Sequence, residues 1–326
     1  MRQEKRVQQY VEGIDVRKLG LEETVENPII TGSYSGESNK IYFIRFGSNQ
    51  FVLKLNGVGG KDPEFFEREY HKLNSLQEFK IAPLPYIYDE NSLGNQSMIL
   101  EMIGGETLRG KEVGPHLEQI LASLNKMIEI PAEILRDRKG FKRDINSCWD
   151  YVHMFPAHAQ RQLTEYLSRA GEDEIYKLSK KATGSGLKKI QEEKDSFVNS
   201  EMGLIHTGLH PENIVYTPAG QIRFIDWEHS SVGDGAFEIS SLLRSNSFSE
   251  REIEIIFERY SGQTGDFRSR VKLYTDLFKV HEVLWHALRF DKAKKEELNL
   301  SQNKTADYYQ NLLNRHLENL KNSDII

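Results

Sequence analysis

The sequence predicts an α+β fold in two unequal parts, a β-rich segment to residue 102 and a larger, mainly helical remainder. Three observations carry that expectation. Strand-like runs rich in branched and aromatic residues alternate with turn signals through the first third of the 326 residues. After "IGGETL", Ile103 to Leu108, apolar residues recur at helical spacing. Two short strand-like runs then interrupt the helices between Leu204 and Ser240. At roughly 150 residues per domain, the length is that of two domains or lobes.

"IYFIRF" (Ile41 to Phe46) and "FVLKL" (Phe51 to Leu55), separated by Gly47 to Gln50, read as a β-hairpin. In "DPEFFEREYHKLNSLQEF" the spacing of Phe65, Phe66, Tyr70, Leu73 and Leu76 predicts one amphipathic helix. "PYIYDE" and "SMILEMI" read as two further strands around the turn-forming "NSLGNQ". The succession is therefore β, β, α, β, β. Beyond it, Leu117, Ile120, Leu121, Leu124 and Met127 give one apolar helical stripe. Further helices are expected over 146–168, 172–199, 250–261, 268–290 and 304–321, with "KKATGSGLKK" read as a break or an exposed loop. Ser249 with Glu252 three residues on forms a capping box that fixes the start of one of them. "NIVYT" and "QIRFIDW", joined by Pro218, Ala219 and Gly220, read as a second hairpin.

Composition excludes several classes. The chain is 38% hydrophobic and 28% charged with a formal charge of −6, and its mean hydropathy is −0.58. That is a globular profile, not a disordered or membrane-embedded one. Up to residue 103 there are 12 basic and 15 acidic side chains, and beyond it 31 and 34, so neither part is basic. This argues against nucleic acid or an anionic membrane as partner. Cys148 is the only cysteine, which rules out an intramolecular disulfide and a cysteine-cluster zinc site. The N-terminus "MRQEKRVQQYVEG" lacks the apolar core of a signal peptide, and no run approaches the ~18 apolar residues of a membrane span. A cytoplasmic protein is expected.

The residues that carry chemistry concentrate in "LIHTGLHPENIVYTPAGQIRFIDWEHSSVGDGAFEIS", Leu204 to Ser240. It offers His206, then Asn213 before a strand, then Asp226 at the end of the next strand. A hairpin of that length brings Asn213 and Asp226 to the same end, where an amide oxygen and a carboxylate can share a hard cation such as Mg2+. Upstream, Lys54 lies inside a strand and Glu69 on the following helix. A lysine in a half-buried strand requires a partner or an anionic ligand.

These segments together resemble the aminoglycoside phosphotransferase and choline kinase-like family, small-molecule relatives of protein kinases. That family's catalytic loop reads roughly H-G-D-L-H-P-x-N, followed by I-D-W-E or I-D-F-E and then G-D-P-A-x-D. This chain has "HTGLHPEN", "IDWE" and "GDGAFE", and its "GGETL" is similar to the family's step from hinge to helical lobe. The resemblance covers most of the chain. It implies a bilobal protein-kinase-like α+β fold, with residues 1–102 as the nucleotide-binding lobe and 103–326 as a helical lobe holding the catalytic loop and substrate pocket. It further implies ATP and Mg2+ as cofactors and a small-molecule hydroxyl as phosphoryl acceptor.

By the same resemblance, Lys54 is the strand lysine that contacts the α- and β-phosphates, and Glu69 its helix partner, with Glu67 as the competing residue. Gly32, Gly36 and Ser38, in "GSYSGESN", occupy the place of the phosphate-covering loop. Asn213 and Asp226 match the paired Mg2+ ligands that neutralise charge as the γ-phosphoryl group transfers. His206 matches the histidine that organises the loop, while Asp234 and Glu238 brace the loop or cap the helix beginning near Ala236. For a cationic substrate the acidic candidates are Asp150, Glu172, Asp173, Glu174, Glu228 and Glu282, and the aromatic ones Trp149, Tyr151, Trp227 and Trp285. Ordinary core and surface roles compete for all of them.

The departure lies at Gly208, where the family has the aspartate that accepts the substrate hydroxyl's proton. A positioned general base contributes about 10²- to 10⁴-fold, so a glycine there impairs transfer while leaving nucleotide and metal ligands in place. Three alternatives stand: a natural pseudokinase with a sensing or interaction role, an active-site variant of an ordinary kinase, or replacement of the base by His210 or Glu212.

Overall fold

The computed structural model describes residues 2–22, 27–35, 39–56, 63–136, 139–141, 145–298 and 305–326. In chain order its elements begin with helix α1 (Arg2–Glu12), strands β1 (Ile29–Ser35), β2 (Asn39–Phe46) and β3 (Asn49–Asn56), and helix α2 (Pro63–Leu76). Strands β4 (Pro85–Asp89), β5 (Ser97–Glu101) and β6 (Glu106–Thr107) follow, with helices α3 (Leu117–Ile128), α4 (Ala132–Arg136), α5 (Cys148–Val152), α6 (Met154–Ala170), α7 (Glu174–Glu192) and α8 (Lys194–Val198). Strands β7 (Met202–Ile205), β8 (Ile214–Tyr216), β9 (Ile222–Phe224) and β10 (Ser231–Asp234) precede α9 (Gly235–Ser245), α10 (Glu250–Arg259), α11 (Phe267–Lys294) and α12 (Ala306–Lys321). The chain divides into two compact units, Met1–Lys142 with Gly208–Ser231, and Arg143–Thr207 with Val232–Ile326.

In the first unit an antiparallel sheet runs in the order β1-β2-β3-β5-β4. The period-two pattern read as a hairpin is β2–β3, with Tyr42, Ile44 and Phe46 buried on one strand and Phe51, Leu53 and Leu55 on the other. Val7 and Val11 of α1 pack on the same core. α1 was not expected, because it has few apolar anchors, and residues 32–35 of the expected phosphate-covering loop lie instead in β1, which pairs with β2 in a bulged register. Lys54 alternates with Leu53 and Leu55 and so takes the opposite face of β3.

The second hairpin is β8–β9, turned at Pro218–Gly220 with Gly220 at φ 73 and extended by β6. The "GGETL" segment explains its second glycine: Gly105 has φ 139, and a Cβ there would stand 2.3 Å from the Tyr216 carbonyl oxygen. Arg223 of β9 donates through both terminal nitrogens to the Glu101 carboxylate at 2.6 and 2.8 Å, tying this hairpin to the end of β5.

The second unit is helical, with one core formed by α6, α7, α11 and α12 around Leu163, Val283, Leu284 and Leu313. The expected break at "KKATGSGLKK" is not one, since α7 runs straight through it. Gly186 permits this by close packing, as a Cβ there would lie 2.7 Å from Leu277 of α11. The capping box at Ser249 and Glu252 is present with both hydrogen bonds. Asp234 caps α9 through the Ala236 N–H and forms a fully buried ion pair with Arg270 at 2.9 Å, joined by the Tyr274 hydroxyl at 3.2 Å. Cys148 is buried beside the Glu201 carbonyl, and burial raises its thiol pKa well above the ordinary value. No described helix is long and apolar enough to cross a membrane.

Candidate active site

The first unit brings Lys54 and Glu69 together, although they lie on different elements. The Lys54 ammonium donates to both Glu69 oxygens, at 2.9 and 2.7 Å, and to Asp226 Oδ1 at 2.8 Å. Glu228 Oε2 stands 3.9 Å from the same nitrogen. Lys54, Glu69 and Glu228 are buried, while the Asp226 side chain is 43% exposed. Glu67, the competing helix residue, instead faces outward to His71 and Lys139.

One ammonium therefore meets three carboxylates whose ligand oxygens all lie within 4.8 Å of one another. Burial alone would lower the Lys54 pKa, but Asp226, Glu69 and Glu228 outweigh it and hold it well above the lysine range. Burial also pushes Glu69 up from the ordinary carboxylate value, against the pull of Lys54. Counted as ions, the cluster carries two negative charges in excess. A hard divalent cation suits such an oxygen set.

The hairpin register fixes the other end. Ile214 pairs with Phe224, and the Ile225 N–H donates to the Asn213 carbonyl at 3.0 Å. Asn213 and Asp226 thus emerge at the same end of β8 and β9, as their spacing predicted. Asp226 adopts left-handed backbone, φ 66 and ψ 64, before a single 3-10 turn at Trp227–His229. Such a conformation costs a non-glycine residue about 1–3 kcal/mol and persists only where neighbours enforce it.

Gly208 opens the loop that leads to Asn213. Its carbonyl accepts from the Asn213 side-chain amide and from the His210 N–H, both at 3.0 Å. His210 also stands 3.0 Å from that amide through Nε2, and Glu212 is paired with Arg109 at 3.1 Å. Just upstream, in the second unit, Glu238 accepts from the backbone of His206 at 2.8 Å and of Thr207 at 2.9 Å. Burial raises the Glu238 carboxyl to about 7 even though these two donors favour its ionised form. They hold Thr207 at φ 71, and Glu238 is the brace the sequence suggested. His206 is fully buried.

Gly32 lies within β1 opposite Phe43, and Gly36 and Ser38 fall outside the described residues. Two contacts at Glu228 were not read from the sequence. Asn39 donates to Glu228 Oε2 at 3.4 Å, and the Lys72 ammonium donates to the Glu228 and Ser230 carbonyls at 2.8 and 2.6 Å. A signal for Lys72 existed in its place three residues after Glu69, on the same helical face. Among the aromatic candidates, Trp227 is fully buried and donates to the Phe224 carbonyl, and Tyr151 packs edge-on to Phe237. Both have core roles.

The chain is similar to several known proteins. Protein LicA of Haemophilus influenzae is 28% identical over 95 residues, which make up 27% of this chain and 35% of that protein. The matched stretch thus spans about a third of that curated relative's length. Choline kinase LicA from Streptococcus pneumoniae superposes with a TM-score of 0.66 at 19% identity, over 98% of this chain and 99% of that one. A thermostable mutant of aminoglycoside phosphotransferase APH(4)-Ia, solved with ADP and hygromycin B, gives 0.63 at 14% identity, over 94% and 98%. The protein-kinase-like α+β fold, with its β-sheet N-terminal region and helical C-terminal part, is common to all of these structures. Residues 30–273, three-quarters of the sequence, match the family of phosphotransferase enzymes, and the chain belongs to that family.

Proposed function

We propose that this protein is an ATP- and Mg2+-dependent phosphotransferase for a small-molecule hydroxyl, with transfer impaired by Gly208. The observation that carries the reading is the buried Lys54 ammonium bridging Glu69 and Asp226 beside an excess of carboxylate charge. In this reading residues 1–102 form the nucleotide-binding lobe and 103–326 the lobe of the catalytic loop and acceptor pocket. Glu69 orients Lys54 toward the α- and β-phosphates, and Gly32, Gly36 and Ser38 belong to the segment that the resemblance assigns to covering them. Asn213 and Asp226 would hold Mg2+, which when bound neutralises charge developing on the transferring phosphoryl group. His206 keeps the loop in place and does no proton transfer.

A nucleotide-binding pseudokinase is the second reading, and a specific observation favours it. Gly208 has no side chain to accept a proton, and the two candidate substitutes already have partners, His210 at Asn213 and Glu212 at Arg109. Both readings require nucleotide. The test is thermal unfolding with ATP, with and without Mg2+, in the wild type and Asp226→Ala. A metal-dependent rise in Tm confined to the wild type is expected, and no ATP-dependent shift in either protein would sink both readings.

A further inference from the structure

We propose that Lys72 is a positioning residue for Asp226, holding the backbone after Asp226 from helix α2. This rests on the reading of Asp226 as a ligand of the nucleotide's metal. Within the 3-10 turn, the Trp227 carbonyl accepts from the Ser230 N–H at 3.1 Å and the Ser230 hydroxyl at 2.7 Å. The indole of Trp227 takes the Phe224 carbonyl at 2.8 Å. The Glu228 and Ser230 carbonyls point to the Lys72 ammonium, which is itself buried. A cation at the carbonyl end of a helical turn opposes the turn's partial negative charge, and buried carbonyls left without a donor are costly.

Lys72 therefore does for the Asp226 turn what Glu69 does for Lys54. The two residues are three apart on α2 and share a face. One helix thus presents an anion to the strand lysine and a cation to the loop of the metal-binding aspartate. A shift of α2 would loosen both together, so its position sets whether Lys54 and Asp226 face the same point.

The experiment compares the wild type, Lys72→Met and Lys72→Arg by hydrogen exchange of the peptide spanning 224–232, and by calorimetric ATP binding across a Mg2+ titration. Met keeps most of the stem and removes the charge, while Arg keeps a cationic donor. Each charge-assisted hydrogen bond corresponds to about ten- to hundredfold in an equilibrium, and the substitution removes two, at Glu228 and Ser230. In Lys72→Met, exchange in 224–232 should accelerate by at least the factor for one bond while the core strands stay protected. The Mg2+ concentration for half-maximal ATP binding should rise about tenfold, with metal-free ATP affinity unchanged, and Lys72→Arg should recover most of both effects. Unchanged exchange in 224–232, or equal acceleration throughout the molecule, would overturn the proposal. If the wild type shows no Mg2+-dependent ATP binding, the phosphotransferase reading fails separately, and the exchange data still decide whether Lys72 holds the turn.

Discussion

Asp226 accepts a hydrogen bond from Lys54 at 2.8 Å while its own backbone is held in the left-handed region at φ 66. Lys54 is therefore a counter-charge shared by Glu69, Asp226 and Glu228. Lys54→Met should destabilise the protein by about 3–5 kcal/mol, because it removes the cation paired with the buried Glu69 carboxylate. Asp226→Asn should cost under about 1 kcal/mol, since the Asp226 side chain is 43% exposed and the change relieves like-charge repulsion. Urea denaturation of both variants checks this, and equal costs would contradict it.

Gly208→Asp should raise phosphoryl transfer by about 10²- to 10⁴-fold, the usual contribution of a positioned general base. The Gly208 carbonyl, which accepts from Asn213 and from the His210 N–H, is retained in the variant. Single-turnover transfer from ATP across a panel of hydroxyl acceptors is the measurement. No gain on any acceptor, with ATP still bound, would favour the pseudokinase.

Glu238 has its folded carboxyl raised to about 7 from an ordinary value of 4.5, chiefly by burial. The folded state thus holds this proton more tightly than the unfolded chain does. Its stabilising contribution is complete below pH 4.5, is lost as pH rises to about 7, and is constant above that, at up to about 1.4 kcal/mol per pH unit. Glu238→Gln should flatten the dependence over pH 4.5–7. At pH 8 the variant should be at least as stable as the wild type, since removing the buried charge outweighs the acceptor lost to one of the two backbone donors at His206 and Thr207.

His281 and His286 of α11 act in the opposite sense. Burial lowers them from 6.5 to about 3 and about 4, so the unfolded chain binds protons that the folded state refuses. Stability should fall as pH drops below 6.5, by up to about 1.4 kcal/mol per pH unit for each histidine, with less from the more exposed His286. His281→Asn should reduce this acid slope in denaturant titrations between pH 6.5 and 4, and an unchanged slope would show that His281 does not drive it.

Gly140→Ala should destabilise the protein by about 2 kcal/mol or more, by left-handed backbone and steric overlap combined. Gly140 has φ 104, and a Cβ would stand 2.8 Å from the Arg68 carbonyl oxygen and 2.9 Å from the Lys72 nitrogen, both in α2. The substitution should also speed hydrogen exchange in 224–232 through displacement of Lys72. A variant with wild-type stability would show that the 139–141 segment does not buttress α2.

Local physics made much of this protein legible from sequence alone. Side-chain alternation in "IYFIRF" and "FVLKL", helical spacing in "DPEFFEREYHKL" and the turn at Pro218–Gly220 each depend on a few neighbouring residues, and each element formed as read. The spacing from Asn213 to Asp226 carried half of the candidate site, because a tight hairpin fixes its own register. Tertiary structure decided the rest. It joined Lys54 to Asp226 across 172 positions and set Lys72 under the Glu228 carbonyl 156 positions away. It also carried α7 through two glycines, because Gly186 packs against Leu277. No local pattern encodes such pairings, since burial of a charge selects its partner only once distant segments have packed.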